Sequence, residues 1–183
     1  MIHRRKLITR IVPMAKLGGE MLRDMAERIY KTFLPLLDRC LIGERIGMPV
    51  GAYNEKRGQY RADVVLEHLQ NSVRASPREK VLAVTDCDLY APGLNFVFGQ
   101  AQCPGSFALV SLHRLNPIFY GGSQDYELLI ERGAKEATHE LGHSLGLRHC
   151  PDNKCVMSFS NSIVNVDEKG PSFCETCRRR LGI

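Results

Sequence analysis

The hydrophobic positions change period several times along the chain, and each change predicts an element. Residues 6–12 are apolar and β-branched, are closed by Pro13, and read as a strand. After Gly18-Gly19, the residues Met21, Leu22, Met25, Ile29, Phe33 and Leu37 recur at helical spacing, which predicts an amphipathic helix over 20–38. A short strand is expected at 40–42, and the Gly-rich polar stretch 43–59 reads as a loop. Asp63 is placed to cap a second helix carrying Val64, Val65, Leu66, Leu69 and Val73, which ends before Pro77. The unbroken apolar run 81–85 is what a strand buried on both faces requires. Two further strand-like runs, 96–98 and 107–112, are surrounded by Gly and Pro, and a third helix begins near Asp125. Strands alternating with helices predict an α/β (α+β) fold with crossover connections and a mixed sheet.

The third helix carries the sequence His139-Glu140-Leu141-Gly142-His143-Ser144-Leu145-Gly146-Leu147-Arg148-His149. Residues four apart on a helix share a face, so His139 and His143 can aim at one point, as a tetrahedral metal needs. Glu140 is placed to reach a water at that metal and accept its proton. Gly146 tolerates the left-handed backbone that ends a helix, and a reversal there brings His149 back towards the same point. Three protein ligands leave one position free, the mark of a catalytic zinc site. The short two-histidine pattern alone also arises on ordinary helices. Three of the chain's six histidines fall in this window. His68 reads as a surface helix residue, His3 has no chemical context, and His113 is a candidate to line a cleft.

The chain has 183 residues, enough for one domain, and 44% hydrophobic residues, ordinary for a chain with a core. The formal charge of +5 concentrates in short clusters near the ends, Arg4-Arg5-Lys6 and Arg178-Arg179-Arg180, without a groove-reading motif, so no nucleic-acid partner is expected. No run approaches the length of a membrane span, and Arg10 and Lys16 interrupt the N-terminal apolar stretch, which makes a poor export signal. A cytoplasmic protein is expected.

Seven cysteines, an odd number, argue against a disulfide framework. Cys150 and Cys155, then Cys174 and Cys177, have the spacing of a closed four-thiolate zinc site, whose role would be structural. A redox pair at Cys174 and Cys177, or plain buried thiols, are the alternatives. Cys40, Cys87 and Cys103 read as buried free thiols. Because Cys150 follows His149 directly, a metal at the cysteines would also fix the backbone of the third histidine.

The run from His139 to Cys150, then Cys155-Val156-Met157, then Cys174 to Cys177, resembles the archaemetzincins, zinc metallopeptidases of the metzincin type. Residues 84–90 and 94–99 are also similar to that family. The resemblance implies a mixed five-stranded sheet, a backing helix, an active-site helix and a small C-terminal subdomain. It implies an antiparallel edge strand, placed within 94–101, that faces substrate, and it makes Met157 the methionine beneath the catalytic metal. The expectations are therefore one metallopeptidase domain over 1–183, divided at 146/147, and two zinc ions. The chain would be a monomer acting on peptides by metal-activated water, with Glu140 as general base. A zinc-stabilised binding protein with vestigial catalysis is the competing reading, and hydrolysis of a non-peptide amide is a third.

Overall fold

The computed structural model describes residues 6–183. His3, Arg4 and Arg5 lie outside them. Eight strands and five helices follow in order: β1 Leu7–Pro13, α1 Gly19–Thr32, β2 Leu37–Ile42, β3 Tyr53–Asn54, β4 Gln59–Arg61, α2 Ala62–Ser72, β5 Glu79–Thr85, β6 Leu89–Tyr90, β7 Gly99–Ala101, β8 Phe107–Ser111, α3 Tyr126–Ser144, α4 Ile163–Glu168 and α5 Glu175–Leu181.

Five strands form the main sheet in the order β2-β1-β5-β8-β7. β1, β2, β5 and β8 are mutually parallel, and β7 closes one edge antiparallel to β8. The apolar run of β5 is buried on both faces because it lies at the sheet centre. Its residues alternate between two cores. Leu82 and Val84 join α1 and α3 on one side, while Val81 and Ala83 join α2 on the other. β3, β4 and β6 make a small second sheet beside α2. This is the mixed five-stranded sheet with a backing helix that the family resemblance implied, and the antiparallel edge strand falls within 94–101.

Several local expectations are corrected. The first helix ends at Thr32, not at residue 38, because Pro35 cannot continue the hydrogen-bond ladder. The helical period runs on past the break only because Phe33 and Leu37 are buried in the same core, Leu37 as the first residue of β2. Residues 96–98 are not a regular strand. Val97 makes one isolated bridge to Leu89, and the paired edge starts at Gly99. Residues 43–59 hold more than a loop, since β3 and the start of β4 form an antiparallel pair there. Asp63 does not cap α2. It lies in the first turn and pairs with Arg61 at 2.8 Å, and Arg61 is itself the N-cap residue. Cys40 and Cys87 are half-buried, and Cys103 is exposed rather than buried.

α3 differs from the other helices in being buried on nearly all sides from Leu129 to Ser144. Asp125 starts it by accepting a hydrogen bond from the Leu128 amide at 2.9 Å. It then runs between the sheet, α1 and the C-terminal segment. Gly133 makes that approach possible, because a Cβ there would stand 2.9 Å from Leu112 Cδ2 and 3.3 Å from Met25 Cε. Gly133→Val should overpack this junction and destabilise the fold by about 1–3 kcal/mol. Urea unfolding at matched metal content measures it, and an unchanged midpoint would show that the contact is not tight.

Candidate active site

α3 ends where the sequence places its reversal. Gly146 has φ +92°, its amide donates to His143 O at 2.8 Å, and the Leu147 amide donates to Gly142 O at 3.0 Å. Those two bonds make a Schellman cap, which satisfies the last carbonyls and turns the chain back on itself. His149 thereby returns beside the helix it has just left. The three rings converge, with centroids 4.6 Å apart for His139 and His143, 4.9 Å for His143 and His149, and 5.3 Å for His139 and His149. One nitrogen from each lies within 4.8 Å of the others. Phe159 packs on the outer side of His149 at 5.0 Å.

The ring orientations are fixed by backbone carbonyls. His139 Nδ1 donates to Val156 O at 2.9 Å, and His143 Nδ1 donates to Leu147 O at 2.8 Å. A carbonyl only accepts, so each Nδ1 carries the proton and each Nε2 carries a lone pair. The two Nε2 atoms face each other at 3.0 Å. Burial holds all three imidazoles below their ordinary pKa, His139 most strongly, and the Lys169 charge adds to the effect. Two lone pairs at this distance with no proton between them repel, and a shared cation removes the repulsion. Tetrahedral zinc with bonds of about 2.0–2.1 Å sets its nitrogens about 3.3 Å apart, close to what is found. The donor set fits that metal.

Glu140 is buried beside the triad. Its carboxyl sits well above the usual carboxylate range because burial disfavours the charge, neighbouring Glu136 disfavours it further, and Lys169 opposes both. It is seated against the edge strand at Gly99, where a Cβ would stand 2.7 Å from Glu140 Cγ and 2.8 Å from Oε1. Met157 is fully buried beneath α3 at Gly142, where any side chain on residue 142 would collide with its sulfur.

The four predicted cysteines also meet. Cys150, Cys155, Cys174 and Cys177 place their sulfurs within 4.8 Å of one another, and all four are free thiols. The Cys150 and Cys174 sulfurs are 3.7 Å apart. Zinc–sulfur bonds of about 2.3 Å at a tetrahedral centre give about 3.8 Å. Backbone amides favour thiolate: Cys174 donates its amide to Cys155 Sγ at 3.3 Å, and the Cys177 amide holds the Cys174 thiol below its usual pKa. Burial pushes Cys155 and Cys177 upward, because it disfavours the charged thiolate.

A cleft of about 410 Å³ runs over this centre, lined on one side by residues 94–101 and on the other by 159–161. His113 is not among its lining residues. It turns to Asp86 O at 3.1 Å and packs edge-on to Phe119. His68 is half-exposed on α2, as expected of a surface residue. Sequence reasoning missed Glu136, Phe159 and Lys169, and it placed Gly99 in the edge strand without its contact to Glu140. Of the three, only Glu136 left a signal, lying four residues before Glu140 on one helix face.

Residues 22–182 match peptidase family M54. An archaemetzincin of Methanopyrus kandleri is 51% identical over 138 residues, covering 75% of this chain and 74% of that one. An archaemetzincin of Methanocaldococcus jannaschii is 42% identical over 171 residues, covering 93% and 90%. The crystal structure of the M. kandleri archaemetzincin superposes with a TM-score of 0.85 at 40% identity, over 100% of this chain and 97% of that one. A zinc-dependent peptidase from Methanocorpusculum labreanum superposes with a TM-score of 0.81 at 29% identity, over 94% and 99%. The chain therefore belongs to peptidase family M54, the archaemetzincins, and is a zinc metallopeptidase.

Proposed function

We propose that His139, His143 and His149 hold the catalytic zinc and that Glu140 is the general base for hydrolysis of a peptide bond. The observation that carries this is the pair of Nε2 lone pairs facing each other at 3.0 Å while both Nδ1 protons are committed to carbonyls. When bound, zinc supplies Lewis acidity that polarises a carbonyl and lowers the pKa of water. The residues of the chain do the rest. Glu140, one residue after His139 and packed on Gly99, takes a proton from the attacking water and returns it to the leaving amine. The edge strand Gly99–Ala101 has a free side along the cleft, where an extended peptide can pair by main-chain hydrogen bonds.

Cys150, Cys155, Cys174 and Cys177 hold a second zinc with no open position, and its role is to brace the first. Three consecutive residues support this. Cys155 contributes a sulfur, the Val156 carbonyl orients His139, and Met157 lies under the helix at Gly142. The Val156 amide in turn donates to Ser172 O at 3.0 Å, near Cys174, and the Cys150 amide donates to Met157 O at 2.9 Å, beside His149. The chain works as one domain in which residues 1–146 carry the sheet and the active-site helix. Residues 147–183 carry the third histidine, Met157 and the cysteine site.

Glu140→Ala should lower turnover of a cleavable peptide by about 10²–10⁴-fold while the protein keeps its zinc. Activity assays alongside metal analysis check this, and full activity in the variant refutes the role given to Glu140. Metal analysis of the unmodified chain should find two zinc ions. Cys174→Ser should lose zinc from the histidine site as well as its own, because outer partners of metal ligands contribute about 10–100-fold in affinity. A folded Cys174→Ser protein whose histidine-site zinc exchanges no faster would separate the two sites.

A further inference from the structure

The floor of the cleft carries a charge that hydrolysis by Glu140 does not use. Glu136 lies one helical turn before Glu140, so the two carboxylates share a face of α3. Its side chain is 4% exposed and sits 2.6 Å from the ammonium of Lys169, which is 1% exposed. The next acceptor near that ammonium is Ser158 O at 3.5 Å. A buried ion pair adds little stability over apolar side chains of the same size, so stability alone does not account for a charged floor.

The pair is oriented. Glu136 lines the cleft and Lys169 does not, so the negative end faces the space and the positive end stands behind it. Glu136 Oε1 is the oxygen that the ammonium holds, so the pair fixes the direction of the carboxylate. Ser160 Oγ, in the segment after Met157, is buried without a partner and belongs to the lining of the same cleft. Gln100 Oε1 is another such oxygen, but Gln100 stands opposite Leu109 in the sheet and so directs its side chain to the α2 side. A buried acceptor without a donor is costly, and a ligand that brings the donor removes the cost.

We propose that Glu136, held in place by Lys169, is a specificity-determining residue that selects a substrate side chain ending in a cationic hydrogen-bond donor, lysine or arginine. The inference rests on the reading of the three histidines as the catalytic zinc centre. A neutral donor would satisfy Ser160 Oγ but would gain less from the field of the oriented pair. An acidic side chain would meet both carboxyl groups, Glu136 and Glu140. An apolar side chain would leave Ser160 Oγ unpaired and gain nothing from Glu136, and a site built for a hydrogen bond rejects such analogues.

The test uses the zinc-loaded full chain and four probes, the N-acetyl hydroxamates of arginine, lysine, leucine and glutamic acid, with affinities measured by calorimetry. The hydroxamate anchors each probe at the metal, so the side chains alone differ. The arginine and lysine probes should bind about tenfold or more tightly than the leucine probe, with the glutamic acid probe weakest. Glu136→Gln alone strands the Lys169 charge and risks unfolding, so the double variant Glu136→Gln with Lys169→Met removes both charges together. Its cooperative melting and zinc content establish that it is folded, and the four affinities should converge in it. Glu136→Asp keeps the charge, withdraws it by one methylene, and should shrink the preference. Leucine binding as tightly as arginine to the unmodified protein overturns the proposal, as does a cationic preference that survives in the double variant. If the protein holds its zinc and none of the four probes binds, the catalytic-centre reading falls first and this inference falls with it.

Discussion

Two unprotonated nitrogens held face to face are the constraint around which the rest of this molecule is arranged. Left alone, His139 and His143 would rotate apart or share a proton. The carbonyls of Val156 and Leu147 prevent both, because each takes the one proton that a neutral imidazole has to give. Those carbonyls are not on α3. They belong to the chain after the Gly146 reversal, so the helix that carries the two histidines does not by itself define their chemistry. The return segment does, and the same segment delivers His149. A metal site assembled in this way is preorganised. The cost of bringing the lone pairs together is met by the folding of the core, and the proposed cation would relieve that repulsion.

This dependence explains why a chain of modest size devotes its last quarter to so little regular structure. Between Leu147 and Phe173, α4 is the one helix and no strand is formed. A segment without a ladder of its own needs other restraints. It finds them in the four cysteines, in the fully buried Met157 beneath Gly142, and in bonds such as that from the Gly170 amide to Lys154 O at 2.9 Å. The proposed second zinc thus supplies, for this segment, the rigidity that sheet and helix supply to the remainder. It would also let a very short connection separate His149 from Met157, the methionine packed beneath Gly142.

What the sequence made legible was whatever depended on local spacing. The helical period of His139 and His143, the glycine at 146, the pairs of cysteines and the unbroken apolar run of β5 each follow from distances of a few residues. What it hid depended on meetings between distant parts of the chain. Lys169 looks like any solvated lysine until α4 and α3 pack and place it 2.6 Å from Glu136. Gly99, inside the expected edge strand, gives no sign of its contact with Glu140 until that strand is laid against α3. The first helix was read too long for a related reason. Periodicity reports which residues face a core, and the strand after Pro35 faces the same core as the helix before it. Exposed Cys103 escaped because average burial says nothing about one turn. It sits beside Pro104, where its sulfur reaches only Leu147 O at 3.4 Å.

The contact between Gly99 and Glu140 joins the parts into one device. An edge strand offers hydrogen bonds to a peptide at a spacing fixed by its own backbone. A base positioned elsewhere would have to find the scissile bond independently. Here the proposed base, Glu140, leans on the strand itself, close enough that residue 99 has no room for a side chain and that its Cβ would also stand 2.5 Å from Leu109 O. The strand proposed to pair with a peptide is therefore also the one against which the proposed proton acceptor is packed, at Gly99. Alignment of this kind contributes to catalysis by removing the search for a productive geometry. It also means that a shift of the edge strand would carry binding and proton transfer together, so the two cannot be tuned separately at this site.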